Sequence, residues 1–183
     1  MPAAGRLSGD DENQRPHGLP DRTFTDRLTL LNGNDAIDLY YFGAAHTNGD
    51  AWVVLRQPRV LAAGDAFANT AQPNIDLANG GSGVAYPETL SKAAAAIRNV
   101  DFVIGGHNPN IVKQQDLANY AEFMRLMVAK ARNAIQQNKT AEQAMVEFQA
   151  EMSANPTFKG YGLGAGRGGP GGAFVQLFEE LKK

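Results

Sequence analysis

Short apolar runs with strand-like alternation follow a polar start of the chain. Leu28–Leu31 and Ile37–Phe42 flank the polar turn Asn32–Asp35, and this pattern predicts a β-hairpin. Trp52–Leu55 and Val60–Ala63 form a second pair around a turn that contains proline. We therefore predict two consecutive hairpins.

Further along the chain, from Pro87, the sequence mainly predicts helices. Pro87 opens a predicted helix that runs to Ile97, since proline is tolerated in the first turn of a helix. Asp101–Ile104 predicts one more strand. Apolar residues three or four apart predict a long helix over residues 115–137 with one buried face, made of Leu117, Tyr120, Met124, Met127 and Ala131.

Two further helices are expected near the C-terminus. Thr140 and Gln143 fit a capping box that starts a helix ending near Met152. Residues 174–181 predict a short amphipathic helix. Hairpins followed by a helix, a strand and more helices predict a mixed α/β (α+β) layer architecture.

The pattern divides the chain into three parts. Residues 1–23 are polar and interrupted by glycine and proline, which predicts a flexible arm. Residues 24–137 hold the predicted sheet and its first two helices. Residues 138–183 hold the C-terminal helices, joined by a connector over 160–172 that contains eight glycines. Within the middle part, Ala66–Tyr86 has few apolar residues and is predicted to be a long surface loop.

Composition and charge exclude several classes of function. Hydrophobic residues make up 43% of the 183 residues, enough for a core, and 17 basic against 19 acidic residues disfavour nucleic-acid binding. No apolar stretch is long enough for a membrane helix or resembles a signal peptide, so we expect a soluble cytoplasmic product as written. A longer parent with its own N-terminus could still be exported.

The absence of cysteine leaves only His, Asp and Glu as metal ligands. His46, Asp65 and His107 each follow a predicted strand on a glycine-rich turn, a donor set that suits zinc, Mn²⁺ or Fe²⁺. His17, the third histidine, is expected to be a solvated side chain of the arm. Considered singly, a histidine or aspartate on a turn is more often structural, so the combination carries the prediction.

Three ordered motifs strengthen the prediction of a metal site. They read F-G-A-A-H-T-N-G-D, V-L-A-A-G-D and V-I-G-G-H-N-P, and together they resemble the metallo-β-lactamase superfamily of zinc-dependent hydrolases. The resemblance implies an αβ/βα sandwich with one or two metals at the edge of its sheets. It implies that His46 binds the first metal, that Asp65 bridges both as the catalytic carboxylate, and that His107 binds the second. Thr47, Gly49 and Asp50 would shape the loop around His46.

The departure from the family pattern is equally informative. The family's opening motif, H-x-H-x-D-H, is absent, and a full site takes five histidines where this chain has three. We therefore interpret the chain as the C-terminal half of such a domain, truncated or split, with weak metal binding and little turnover. A single metal held by His46, Asp65 and His107 is the other possibility. A bridging aspartate without cysteine resembles glyoxalase II-like and lactonase-like hydrolases more than thiolate-bridged β-lactamases.

Two functions of different kinds remain open. The first is a metal-dependent hydrolase of a small-molecule substrate, with Asn69, Gln72 and Asn74 as candidate contacts on the loop. Its activity would require a complementing N-terminal half. The second is a non-catalytic remnant of the fold that forms a homodimer or binds a partner chain through an uncovered sheet or helix face. Neither involves nucleic acid or a membrane.

Overall fold

In a computed structural model, the chain is described over residues 22–108, 110–162 and 172–183. The predicted arm up to residue 21, with His17, and residues 163–171 of the glycine-rich connector lie outside these ranges. None of the helices in the described ranges combines the length and hydropathy that crossing a bilayer requires.

Within these ranges, five strands form one sheet in the order of the sequence. They are β1 (Arg27–Leu30), β2 (Ile37–Tyr40), β3 (Trp52–Leu55), β4 (Val60–Gly64) and β5 (Phe102–Gly105). Neighbours from β1 to β4 pair antiparallel, and β4 pairs with β5 in parallel. Both predicted hairpins are confirmed. Strands β2, β4 and β5 consequently run in the same direction, and their C-terminal ends share one edge of the sheet.

Four α-helices complete the fold of the described residues. They are α1 (Tyr86–Ala96), α2 (Gln114–Gln136), α3 (Ala141–Ala154) and α4 (Gly172–Leu181). The capping box before α3 is confirmed, because the Thr140 hydroxyl accepts from the Gln143 amide and the Gln143 side chain accepts from the Thr140 amide. The predicted apolar face of α2 is buried, as its periodicity requires.

The helices pack on one face of the sheet. Trp52 and Val54 of β3, Leu61 and Ala63 of β4, and Val103 of β5 are buried in one cluster with helix side chains. Aromatic rings link the helices to one another, because Phe148 of α3 packs against Phe123 of α2 and against Phe174 of α4.

An ion-pair cluster lies on this same face of the sheet, around Asp38 of β2. Asp38 is buried and accepts two hydrogen bonds from Arg56, at 2.7 and 2.8 Å, one from Arg27 at 2.8 Å and one from Thr29 at 2.7 Å. These bonds, the Arg56 guanidinium first among them, hold the pKa of the Asp38 carboxyl well below its ordinary value.

The opposite face of the sheet is apolar, and no helix of the described residues covers it. Strand alternation and the pairing register place ten side chains there in two rows: Leu28, Leu39, Val53, Ala62 and Ile104 in one, Leu30, Ile37, Leu55, Val60 and Phe102 in the other. None of the ten is fully buried, and Phe102 and Ile104 are 49% and 44% exposed. We call these ten residues the open face.

The segment predicted to be a surface loop is packed instead. It contains the short 3₁₀ turns Asp65–Phe67 and Leu77–Asn79, and Phe67 and Ile75 are fully buried. Its few apolar residues point inward, and small residues such as Gly83 let it lie against neighbouring side chains. A sparse apolar content therefore does not mean an exposed segment.

Candidate metal centre

The structure brings His46, Asp65 and His107 together at the edge where β2, β4 and β5 end. Nε2 of His46 lies 3.5 Å from Oδ2 of Asp65, and Nε2 of His107 lies 3.2 Å from Oδ1 of the same carboxylate. The side chain of His46 is 17% exposed and that of His107 is 55% exposed. The cluster therefore opens to solvent on the His107 side.

Glycines make this convergence possible. Gly64 has a φ of +53°, a conformation that glycine adopts readily, and it turns the chain between β4 and Asp65. A Cβ added to Gly106 would collide with Oδ1 of Asp65, and one added to Gly105 would collide with the carbonyls of Phe67 and Ala68. The G-D and G-G-H motifs thus allow two strand ends to approach each other closely.

Backbone hydrogen bonds hold the two strand ends in register. The amide of Gly106 donates to the carbonyl of Gly64 at 2.9 Å, and the amide of His107 donates to the carbonyl of Ala68 at 3.1 Å. The buried Tyr86 hydroxyl donates to the backbone carbonyl of Asp65 at 2.9 Å. Burial raises the pKa of Tyr86 well above its ordinary value, so this hydroxyl stays a donor.

His46 is fixed through its other ring nitrogen. Its Nδ1 lies 2.9 Å from the carbonyl oxygen of Asn74. Because a carbonyl can only accept, Nδ1 carries the proton, and in the neutral imidazole Nε2 presents its lone pair towards Asp65. The carbonyl of His46 accepts from the amide of Asp76 at 2.9 Å, so the backbone is anchored as well.

The loop after His46 is closed by Asp50. Its carboxylate accepts from the amide of Thr47 at 2.8 Å and from the Thr47 hydroxyl at 2.9 Å. The same hydroxyl accepts from the amide of Gly49 at 3.1 Å. Burial raises the pKa of the Asp50 carboxyl, while its bonds to Thr47 act in the opposite direction. Thr47, Gly49 and Asp50 thus shape the turn that follows His46 by hydrogen bonds to one another.

The three loop residues predicted to face substrate occupy different positions. Gln72 is buried, and its side-chain oxygen accepts from the amide of Ala173 in α4 at 3.2 Å. Asn74 contributes its carbonyl to His46, and its side chain accepts from Gln176 at 3.3 Å. Asn69 is partly exposed. Gln72 and Asn74 therefore make structural contacts to α4 and to His46.

Sequence reasoning missed two residues that support this centre. Tyr86 bonds to the backbone of Asp65, and Gln176 bonds to the segment that holds His46. Tyr86 follows a glycine-rich stretch with no motif of its own, and Gln176 lies 101 positions beyond its partner Ile75. No local pattern in the sequence could have paired them.

The donor chemistry of the cluster fits a divalent cation. Two imidazole Nε2 atoms face the two oxygens of one carboxylate, a two-histidine, one-carboxylate set of the kind that binds zinc or iron(II). The two nitrogen–oxygen separations, 3.5 and 3.2 Å, are direct contacts between the donor atoms, and the described residues contain no group of three or more His, Cys, Asp or Glu side chains arranged as a metal site.

Comparisons with known proteins agree with the fold. Metallo-beta-lactamase type 2 from Bacteroides fragilis is 25% identical to the chain over 104 residues, which are 57% of this chain and 42% of that protein. The solved structure of a metallo-β-lactamase from Pontibacter korlensis matches with a TM-score of 0.50 and 21% identity, over 59% of this chain and 50% of that one. No family model matches the chain.

A third similarity extends further along the chain. The structure of a double mutant of the sec-alkyl sulfatase PisA1 matches with a TM-score of 0.63 and 17% identity, over 85% of this chain and 25% of that one. The chain spans half or less of the length of each of these three proteins. Its likeness to metallo-β-lactamases, over somewhat more than half of its own length, shows that the chain carries part of a metallo-β-lactamase fold.

Proposed function

We propose that the chain is the part of a metal-dependent hydrolase of the metallo-β-lactamase superfamily that carries His46, Asp65 and His107 as metal ligands. The observation that supports this most directly is the Asp65 carboxylate, whose two oxygens face the Nε2 atoms of two histidines. Zinc is the first candidate ion, with iron(II) and manganese(II) as alternatives, because the set mixes imidazole with carboxylate.

A bound dication would act as a Lewis acid and lower the pKa of a coordinated water. The chain's own residues prepare that site. The bond from Nδ1 of His46 to Asn74 selects the tautomer that leaves Nε2 free to bind, and Asp65 offers one oxygen on each side. The exposed side at His107 leaves room for a small-molecule substrate.

The substrate class follows from the ligand types. A bridging aspartate in a chain without cysteine favours esters, thioesters or lactones over β-lactams. Sulfate esters are a further candidate substrate class, because PisA1 is named a sec-alkyl sulfatase. Its similarity covers 85% of this chain, which is more than the predicted hydrolase part at residues 24–137. Each of two metal positions would have only two protein ligands, one histidine and a share of Asp65, where a catalytic zinc usually has at least three, so we expect low turnover by the chain alone.

Metal analysis of the full chain, purified without chelator, tests this function. We expect about one equivalent of zinc, iron or manganese. A His107→Ala variant should lose it, whereas a His17→Ala variant should retain it. A wild-type chain that takes up no metal from micromolar zinc would overturn the proposal, as would a His107→Ala variant that retains the wild-type metal content.

The open face supports a second candidate function, that of a chain that associates through its sheet. Its ten apolar side chains span all five strands without a charged residue. A large apolar patch on a protein surface marks an interaction site. The occupant we propose is a second apolar sheet, supplied either by another copy of this chain or by a complementing N-terminal half. A metal-free dimer held together by the open face would favour this function over the hydrolase.

A further inference from the structure

Helix α4 is attached near both of its own ends to residues 72–83, the segment that supports His46. The amide of Ala173 donates to the side chain of Gln72 at 3.2 Å. Near the other end, the carboxylate of Glu180 accepts from the Ser82 hydroxyl at 2.5 Å and from the amide of Gly83 at 2.8 Å. A carboxylate that accepts several hydrogen bonds is a strong anchor. The helix is therefore fixed in position over the segment.

Gln176 lies between these two anchors and contacts the middle of the segment. Its side-chain oxygen accepts from the backbone amide of Ile75 at 3.0 Å. Its side-chain nitrogen donates to the side-chain oxygen of Asn74 at 3.3 Å. The oxygen and the nitrogen of the Gln176 side-chain amide are thus both hydrogen-bonded, to two consecutive residues.

The peptide group between Asn74 and Ile75 connects this contact to His46. The N–H of this group belongs to Ile75 and is held by Gln176, whereas its C=O belongs to Asn74 and accepts from Nδ1 of His46. In a trans peptide the N–H and C=O point in opposite directions within one plane. A constraint on the N–H therefore orients the C=O, and hydrogen bonds in series strengthen one another.

We propose that Gln176 is a positioning residue for His46, acting through the peptide group between Asn74 and Ile75. Without Gln176 this peptide group can rotate, and the acceptor that keeps the proton on Nδ1 is lost. The share of imidazole with a free Nε2 then falls. This inference rests on the proposed function only in treating Nε2 of His46 as a metal-binding atom; the hydrogen-bond relay itself does not require a metal.

The test compares Gln176→Leu, Gln176→Glu and Glu179→Leu in the full chain. Leucine removes both bonds, and Gln176 borders an open cavity of about 240 Å³ that can accommodate the new side chain. Glutamate keeps an acceptor for Ile75. Glu179 is an exposed neighbour on the same helix and serves as the control. The first readout is the tautomer of His46 in metal-free protein, measured by ¹⁵N-resolved NMR at about pH 8.5, where an ordinary imidazole is neutral.

We expect the wild type, Gln176→Glu and Glu179→Leu to keep His46 protonated on Nδ1, and Gln176→Leu to give a mixture of tautomers. The second readout is zinc affinity by calorimetry, which should fall about 10- to 100-fold in Gln176→Leu alone. A Gln176→Leu protein with the wild-type tautomer would overturn the relay. If that variant fails to fold, hydrogen exchange of the Ile75 amide in the wild type decides, since fast exchange would contradict the bond to Gln176.

The two readouts separate the relay from the hydrolase function. A tautomer change in Gln176→Leu with no zinc binding by the wild type supports the relay and overturns the metal function. Zinc binding that is equal in the wild type and in Gln176→Leu, with an unchanged tautomer, overturns the relay and leaves the metal function standing.

Discussion

Asp65 faces His46 with one carboxylate oxygen and His107 with the other, at 3.5 and 3.2 Å. The two histidines lie 61 positions apart in the sequence, and one aspartate at the end of β4 joins them because β2, β4 and β5 end at the same edge. Asp65 is therefore the residue whose replacement should affect the whole centre.

Replacing Asp65 by asparagine should lower zinc affinity at least 10-fold, because the amide exchanges one anionic oxygen for a donor that cannot bind a cation. Isothermal titration with zinc measures the change. Asp35→Asn, an exposed aspartate in the turn between β1 and β2, is the matched control and should bind as the wild type does. Equal affinity in Asp65→Asn and the wild type would contradict the assignment of Asp65.

A methyl group at Gly106 should disturb the centre through sterics alone. The added Cβ would collide with the Asp65 carboxylate and lie 2.8 Å from the carbonyl carbon of Gly64. We expect Gly106→Ala to lose about 1–3 kcal/mol in free energy of unfolding and to bind zinc more weakly. Gly160→Ala is the control, because nothing lies within 4 Å of its added Cβ, and it should be neutral or slightly stabilising. Chemical denaturation of both variants checks this.

The Asp38 cluster should make stability depend on acid pH. The pKa of Asp38 is lowered in the folded state, so its contribution is complete well above the unfolded pKa of about 3.9 and declines as the pH falls towards the folded pKa. Asp38→Asn should lower the free energy of unfolding by about 1–3 kcal/mol at pH 7. The loss is moderate because Arg27 and Arg56 are nearly half exposed, so water screens their charges. The difference from the wild type should shrink between pH 6 and pH 2.

Asp101→Asn is the comparison for that measurement. Asp101 also accepts two bonds from an arginine, Arg59, but both side chains are about half exposed. Exposed pairs contribute little because water screens them. Urea titrations at several pH values should therefore show a small, nearly pH-independent effect for Asp101→Asn. An equally large pH dependence in both variants would contradict the role of burial.

Charges on the open face should prevent association. Five strands about 4.8 Å apart and four residues long give a face of roughly 24 by 13 Å, or about 600 Å² for two copies, below the roughly 1,200 Å² of a stable interface. We therefore expect a weak homodimer, visible by sedimentation at high concentration and absent in a Phe102→Lys, Ile104→Lys double variant. Val146→Lys, on the outside of α3, should associate as the wild type does. A double variant that still dimerises would place the interface elsewhere.

Local patterns predicted most of the architecture. The apolar run Trp52–Leu55 marked a strand, and the spacing of Tyr120 and Met124 marked a buried helix face, because burial on one side of a helix imposes a fixed period. The prediction for residues 66–86 was wrong about exposure. Its packing depends on contacts with α4, about 100 positions away, which no local period records.

In the candidate site, too, local patterns predicted some residues and missed others. His46, Asp65 and His107 each follow a strand within a few positions, so their convergence could be predicted from the sequence. The residues that orient them could not. Tyr86 acts on a backbone carbonyl and Gln176 on a backbone amide, and bonds to the main chain leave no pairing of residue types in the sequence to detect.

The anchoring of α4 also bears on how the protein is made. Residue 176 leaves the ribosome 130 positions after residue 46. All five strands, β1 to β5, are thus synthesised while the imidazole of His46 still lacks its remote support. Completion of this centre has to wait for α4, and a premature stop that removes α4 would take away the support of His46 together with the buried core side chains Phe174 and Leu177.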